Sequence, residues 1–165
     1  MSSKFEWGHV NINVSDLDKS IAFYKKLGFT PFVPGVPYLN LNAETPAQIP
    51  SASAEALGLL EGTKGRACIM QLNDGFPKID LTELTQEQQR DPLQNDDLGL
   101  ARICLILENL AAAYEDLKGQ GVVFLSPPTA CHERLADVAV CRDPDGTLIE
   151  LLQVYMDRWG PYLPA

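Results

Sequence analysis

Two stretches of the chain share one apolar rhythm. In "GHVNINVSDL" (Gly8–Leu17) and "ARICLILENL" (Ala101–Leu110), alternate residues are apolar, the mark of a strand with one face in a core. Each stretch then changes to apolar spacings of three and four, the period of a helix: Leu17, Ile21 and Tyr24 in one, Leu110, Tyr114 and Leu117 in the other. The copies lie 93 positions apart, so that Val10, Ile12 and Val14 recur as Ile103, Leu105 and Leu107, and Gly28 recurs as Gly121. The pattern predicts strand then helix, twice. Ser15 with Asp18 reads as a capping box, Asn109 as the second cap, and Gly28 and Gly121 as left-handed helix ends.

The remainder of each copy reads as strands. "GRACIMQL" and "KIDLTEL" form a hairpin around "NDGFP", and "ADVAVCR" and "TLIELLQVY" form another around "DPDG". Shorter strands are expected in "TPFVPG" to "PYLNLN" and in "VVFLSPP". The hairpin strands repeat at an offset of 70, with Ile79, Asp80 and Leu81 matching Ile149, Glu150 and Leu151. The first copy therefore carries an insertion of about 23 residues, "AETPAQIPSASAEALGLLEGTKG", read as a Pro-rich loop and a short helix capped by Ser51 or Ser53. The fold class that follows is α+β, built from two tandem βαβββ modules in which a helix covers one sheet face and leaves the other to curve around a ligand. The expected limits are one domain, 1–165, with module one over about 5–86, its insertion over about 43–65, a polar linker over about 87–98, module two over about 99–156 and a tail over 157–165.

Charge narrows the function classes. The 165 residues include 22 acidic and 13 basic side chains, a net charge of −9, with no basic cluster, which argues against nucleic acid and anionic membrane as partners. No apolar run is long enough to span a bilayer and "MSSKFEW" has no signal-like character, so a cytoplasmic protein is expected. The four cysteines form no CxxC pair, and Cys68 and Cys104, inside apolar runs, are expected to be buried reduced thiols. A Gly-rich phosphate loop, a nucleophile elbow and zinc-finger spacing are all missing from the sequence.

"HVNINVSDLDKSIAFYKKLGF" and "VCRDPDGTLIELLQ", with the repeat between them, resemble the vicinal oxygen chelate superfamily. That group includes glyoxalase I, bleomycin- and fosfomycin-resistance proteins, methylmalonyl-CoA epimerase and extradiol dioxygenases. The resemblance implies that two curled sheets enclose a cup, often around a divalent metal held by the first and last strands of the modules. The matching positions are His9, Asp80, Arg102 and Glu150. Strand parity agrees. Val10, Ile12 and Val14 face the helix, which turns His9, Asn11 and Asn13 the other way, and the same rule turns Asp80, Arg102 and Glu150 away from their helices.

His9 and Glu150 suit a first shell for Zn, Ni, Mn, Fe or Mg, with Asp80 as a third oxygen ligand or as the partner of a neighbouring base. Arg102 departs from the pattern, because a guanidinium has no lone pair for a metal. Three accounts stay open: a three-ligand metal site (His9, Asp80, Glu150) with Arg102 holding a substrate anion; a metal-free site in which Arg102 pairs with Glu150 or Asp80; or a failed register with Arg102 on the surface. Asn11 and Asn13 are candidate hydrogen-bonding groups for a ligand, and His132 a candidate at the mouth of the second half. Glu83, Arg142, Tyr24 and Tyr114 read as structural.

The resemblance implies a small-molecule enzyme of the glyoxalase type, an isomerase, epimerase or lyase. Its substrate would carry adjacent oxygens or a carboxylate, with His9, Glu150 and Arg102 as catalytic residues. Dioxygenation is less favoured, since Arg102 stands where a second histidine is needed. The alternative is a binding protein that sequesters a small molecule, as in the bleomycin-resistance branch. The resemblance and the aromatic tail "VYMDRWGPYLPA" further suggest a homodimer.

Overall fold

The alternation along the chain is realised as two five-stranded mixed sheets, one in each of two compact units that divide between Arg90 and Asp91. The computed structural model describes residues 4–85 and 90–164. The start of the expected linker, 87–89, lies outside the described residues.

In unit 1 the elements are β1 (His9–Asn13), α1 (Leu17–Lys26), β2 (Phe29–Val33), β3 (Gly35–Val36), β4 (Leu41–Asn42), β5 (Ala47–Gln48), α2 (Ser51–Ala56), β6 (Lys64–Leu72) and β7 (Lys78–Leu84). The sheet order is β1-β7-β6-β2, with β5 also on β6. β1 runs parallel to β7, and the other pairs are antiparallel. Ile12, Leu17, Phe23, Tyr24, Leu81 and Met70 are buried on the α1 face. Tyr24 packs edge-on against both Phe23 and Phe29, as its core assignment required.

Unit 2 repeats the order with β8 (Arg102–Ile106), α3 (Leu110–Gly119), β9 (Val123–Phe124), β10 (Thr129–Ala130), β11 (Ala136–Arg142) and β12 (Leu148–Val154). β8 runs parallel to β12, which pairs with β11, and β9 and β10 both add to β11. Leu110, Tyr114, Leu117, Ile149 and Leu151 are buried on the α3 face. The two α+β modules therefore match in their first helix and five sheet strands, with β3, β4 and α2 added in the first, and the hairpin strands fall within a residue of their sequence limits.

Some local expectations are corrected. The α1 cap is Asp16, whose Oδ1 accepts from the Lys19 N–H, in place of the expected Ser15. Asn109 caps α3 as expected, accepting from the Ala112 N–H. Pro50, not Ser51 or Ser53, precedes α2, and no side chain caps it. Cys104 is exposed because β8 turns it away from α3; Cys68 and Cys141 are the buried thiols, and all four are free. The described part of the expected linker is docked rather than loose. Gln94 accepts from Arg142, Asn95 accepts from Arg102, and Pro92 sits where a Cβ on Gly146 would come within 2.6 Å of its Cγ. The C-terminal tail folds back on unit 2: Trp159 Nε1 donates to the Leu135 carbonyl at 3.0 Å, and Tyr162 donates to Glu133 at 2.6 Å. No helix among the described residues is long and apolar enough to cross a membrane.

α1 and α3 are each anchored by a side chain from the last strand of their own unit. Glu83 Oε2 accepts from the Leu17 N–H at 2.6 Å, and Gln153 Oε1 accepts from the Leu110 N–H at 2.9 Å. Both satisfy an orphan donor of a helix start. Glu83 also takes two hydrogen bonds from Arg66, which reaches Asp18 as well. The Arg66 guanidinium holds the Glu83 carboxyl below its ordinary value of 4.5, against the opposing effect of burial. A carboxyl lowered by folding adds stability above its unfolded value, and that stability is lost as pH falls through the folded value. Glu83→Gln is expected to cost about 1–3 kcal/mol at neutral pH, with the difference fading below 4.5. Hydrogen exchange should show the Leu17 amide losing protection in acid while the Leu110 amide, capped by a neutral amide, keeps it.

Candidate functional site

β1 lies in parallel register with β7, with His9 opposite Lys78, Asn11 opposite Asp80 and Asn13 opposite Thr82. These side chains share the face away from α1. On it, His9 Nε2 stands 3.5 Å from Asp80 Oδ2. The Thr82 hydroxyl donates to Asn11 Oδ1 at 2.9 Å, and Asn11 Nδ2 donates to Asn13 Oδ1 at 3.0 Å.

Asp80 is only 2% exposed, and its Oδ1 is buried with no hydrogen-bond partner among the described residues. Its cover comes from the insertion in module one together with the residues just before it. Val36, Leu39, Leu41, Ile49 and Ala54 form a second small core against Ala67, Ile69 and Leu84. Ile69 is the register partner of Asp80 on β6, and Leu84 lies four residues on along β7, so this core covers the sheet beside the carboxylate. Burial pushes the Asp80 carboxyl up from its ordinary value, and the neighbouring His9 partly offsets the rise. Tyr38 stands near enough for its phenol to be pushed up as well, first by burial and then by the Asp80 charge.

In unit 2 the equivalent strand positions carry Arg102, opposite Leu148, and Glu150, opposite Cys104. The repeat register therefore holds at Arg102. Its Nε donates to Glu150 Oε2, and its Nη1 donates to Asn95 Oδ1 at 3.2 Å. The Glu150 carboxylate holds the guanidinium proton more firmly than usual. Both modules thus present a basic group and a carboxylate at the same two positions: His9 with Asp80, and Arg102 with Glu150. His132 is separate from either pair. It lies exposed in a 3-10 turn, 3.6 Å from Glu133.

The pattern of a family model now has its structural counterpart, matching residues 7–151 as Glyoxalase/Bleomycin resistance protein/Dioxygenase superfamily. The chain belongs to this superfamily. Among solved structures, a glyoxalase family protein from Bacillus cereus is similar with a TM-score of 0.72 at 18% identity, over 93% of this chain and 96% of that one. Glyoxalase I from Zea mays is similar with a TM-score of 0.60 at 19% identity, over 88% of this chain and 43% of that one. At such identities the likeness is one of fold. Lactoylglutathione lyase of Schizosaccharomyces pombe is 27% identical over 160 residues. The match takes in 92% of this chain and 46% of that protein, so the chain spans about half the length of this curated relative.

The superfamily's metal can be tested against the donors this member offers. Unit 1 brings together one imidazole and one carboxylate. Unit 2 offers a guanidinium without a lone pair, joined to the carboxylate that would otherwise be a ligand. Among the described residues no three His, Cys, Asp or Glu side chains gather as a metal group. Neither unit by itself supplies the three expected ligands, His9, Asp80 and Glu150.

Sequence reasoning singled out His9, Asp80, Arg102 and Glu150 but missed Lys78 and Asn95 as their neighbours. The parity that selected Asp80 also selects Lys78 and Thr82, two residues to either side. Asn95 carried no signal, because it comes from a segment read as linker.

Asp80 is a charge held at a cost to the fold. A carboxyl raised by burial is harmless while protonated, below 3.8; the penalty grows as pH climbs from there to the raised value, then stays constant. Asp80→Asn is therefore expected to melt a few degrees higher than wild type at neutral pH, the advantage vanishing in acid. Thermal melts between about pH 3 and pH 8 check this; an advantage that is independent of pH would mean that the Asp80 charge is not its source.

Proposed function

We propose that the protein is a glyoxalase-like isomerase or lyase that moves a proton at a carbon next to a carbonyl, in a small substrate with adjacent oxygens or a carboxylate. The observation that carries this is the His9 imidazole held against a buried Asp80 carboxylate with one oxygen unsatisfied. With Nε2 turned to Asp80, the other ring nitrogen is left to accept a substrate proton. The imidazolium that forms is then stabilised by Asp80, most strongly because the carboxylate is desolvated. Asn13 has its Oδ1 occupied by Asn11 and presents its amide N–H groups to a developing negative oxygen. The relationship to lactoylglutathione lyase supports the reaction class. We read the chemistry as metal-free, and Arg102 with Glu150 as a polar group that meets an anionic ligand through the guanidinium edge. The active form is proposed to be a homodimer, which sedimentation at micromolar concentration tests; a monomer would overturn it.

The test is proton exchange. Wild type in deuterium oxide should wash the substrate-carbon proton out of lactoylglutathione or a simpler 2-hydroxy carbonyl compound, followed by NMR. His9→Gln and Asp80→Asn should each lower that rate by about 10²-fold or more, and a chelator should leave the wild-type rate unchanged. Unaltered rates in both variants would remove this pair from the mechanism. A second reading, sequestration without turnover, is favoured by the Arg102–Glu150 pair, which has no group suited to proton transfer. Ligand binding with no exchange in wild type would establish it.

A further inference from the structure

Lys78 is an unusual residue on the face of unit 1 away from α1. It is 5% exposed, deeper than most lysines in any fold. Among the described residues no carboxylate forms an ion pair with it. Its Nζ donates one hydrogen bond, to Gln71 Oε1 at 2.9 Å. The same Nζ lies 4.6 Å from the ring centre of Phe32 and 4.4 Å from that of Phe76. An ammonium has three donors, so two are left without an acceptor among the described residues. The rings attract the charge through their faces but accept little in hydrogen-bonding terms. A buried cation in this condition is costly, because its water has been removed and no anion has replaced it.

The surroundings point to what would replace it. Phe32 and Phe76 are 52% and 63% exposed, large apolar surfaces open beside a buried charge. Lys78 is the register partner of His9 and lies two residues before Asp80 on the same face. Two residues along a strand span about 7 Å, the length of a small organic acid. Asp80 has its own base in His9, so the ammonium is left for something else.

We propose that Lys78 is the carboxylate anchor of a ligand site on this face, with Phe32 and Phe76 flanking the ligand's apolar or planar part. The ligand class is a small carboxylic acid whose reactive carbon lies one or two bonds from the carboxylate. A carboxylate bound there accepts the two open N–H donors and neutralises the buried charge, and the rings shield the pair from water. The assignment rests on the reading of this face as a ligand surface, but not on turnover.

The experiment measures binding of two probes, pyruvate and benzoylformate, and of methyl benzoylformate as the uncharged control. Wild type should bind both acids and prefer benzoylformate to its ester. Lys78→Met, which keeps the aliphatic stem, should lose about tenfold or more in affinity for both acids and leave the ester unchanged. Lys78→Arg should retain most of the acid affinity, and Phe76→Leu should weaken benzoylformate more than pyruvate. A purely structural role in clamping the two rings would change the melting temperature of Lys78→Met but not its acid-to-ester preference. That result, or wild type binding neither acid, overturns the anchor. Asp80→Asn separates this from the proton-transfer reading. Acid binding that depends on Lys78 in a wild type without proton exchange would leave the anchor standing and remove the enzyme.

Discussion

The chemistry of each module depends on one register, the parallel pairing of its first and last strands. His9 lies opposite Lys78 in one module and Arg102 opposite Leu148 in the other. Because side chains alternate, a slip of one residue would send every polar group of the strand into the helix-side core. The core forbids this, since Ile12 and Leu81 are buried under α1, and Ile149 and Leu151 under α3. The anchors Glu83 and Gln153 add a second restraint, tying each helix start to the same strands. Apolar packing on one face therefore fixes which polar residues meet on the other, and it does so twice with the same result.

What distinguishes the modules is the segment 36–54 of the first, which runs into its insertion. Its small core on Ile69 and Leu84 dries the sheet next to Asp80, while Glu150, at the matching position, keeps some contact with solvent and is held by Arg102. Equivalent backbone positions thus have different electrostatics. A desolvated carboxylate beside an imidazole is suited to moving protons. A guanidinium joined to a carboxylate is always charged and suited only to holding. The two copies thus carry, on the same backbone, a base that can give up its proton and one that keeps it.

Much of this was legible in the sequence. The repeat, the strand-to-helix order and both hairpins follow from apolar period alone, and the facing of His9, Asp80, Arg102 and Glu150 follows from parity. The pairings within each module depend on register, which parity leaves undetermined between neighbouring strands. Burial was less legible still. Cys104 lies in an apolar run yet is exposed, because its face carries no helix; Asp80, read as a third ligand or the partner of a base, is buried, because residues 36–54 fold over its strand. The Asp16 cap was missed in favour of Ser15, one residue earlier, since both types cap helices and only the backbone angles at the helix start choose between them.

Unmet polar demand is the remaining signal, and it is uneven. On the matching face of unit 2, Arg102 donates to both Glu150 and Asn95, and none of the three leaves a buried polar atom unpaired among the described residues. On the face of unit 1 away from α1, Asp80 has an oxygen without a donor and Lys78 has donors without an acceptor among the described residues. These two residues are nearest same-face neighbours on one strand, yet they do not satisfy each other: Asp80 turns to His9, and Lys78 to Gln71 and two rings. The other buried orphan, Asp137 Oδ1, lies on the helix side of unit 2, where the residue's second oxygen already accepts from Tyr155. Native folds rarely tolerate such deficits without a reason. A ligand that supplies a hydrogen-bond donor at one end and an anion at the other would remove both. The deficits lie on one face, on adjacent same-face positions and with opposite sign, which makes a ligand a better account of them than two unrelated faults in packing.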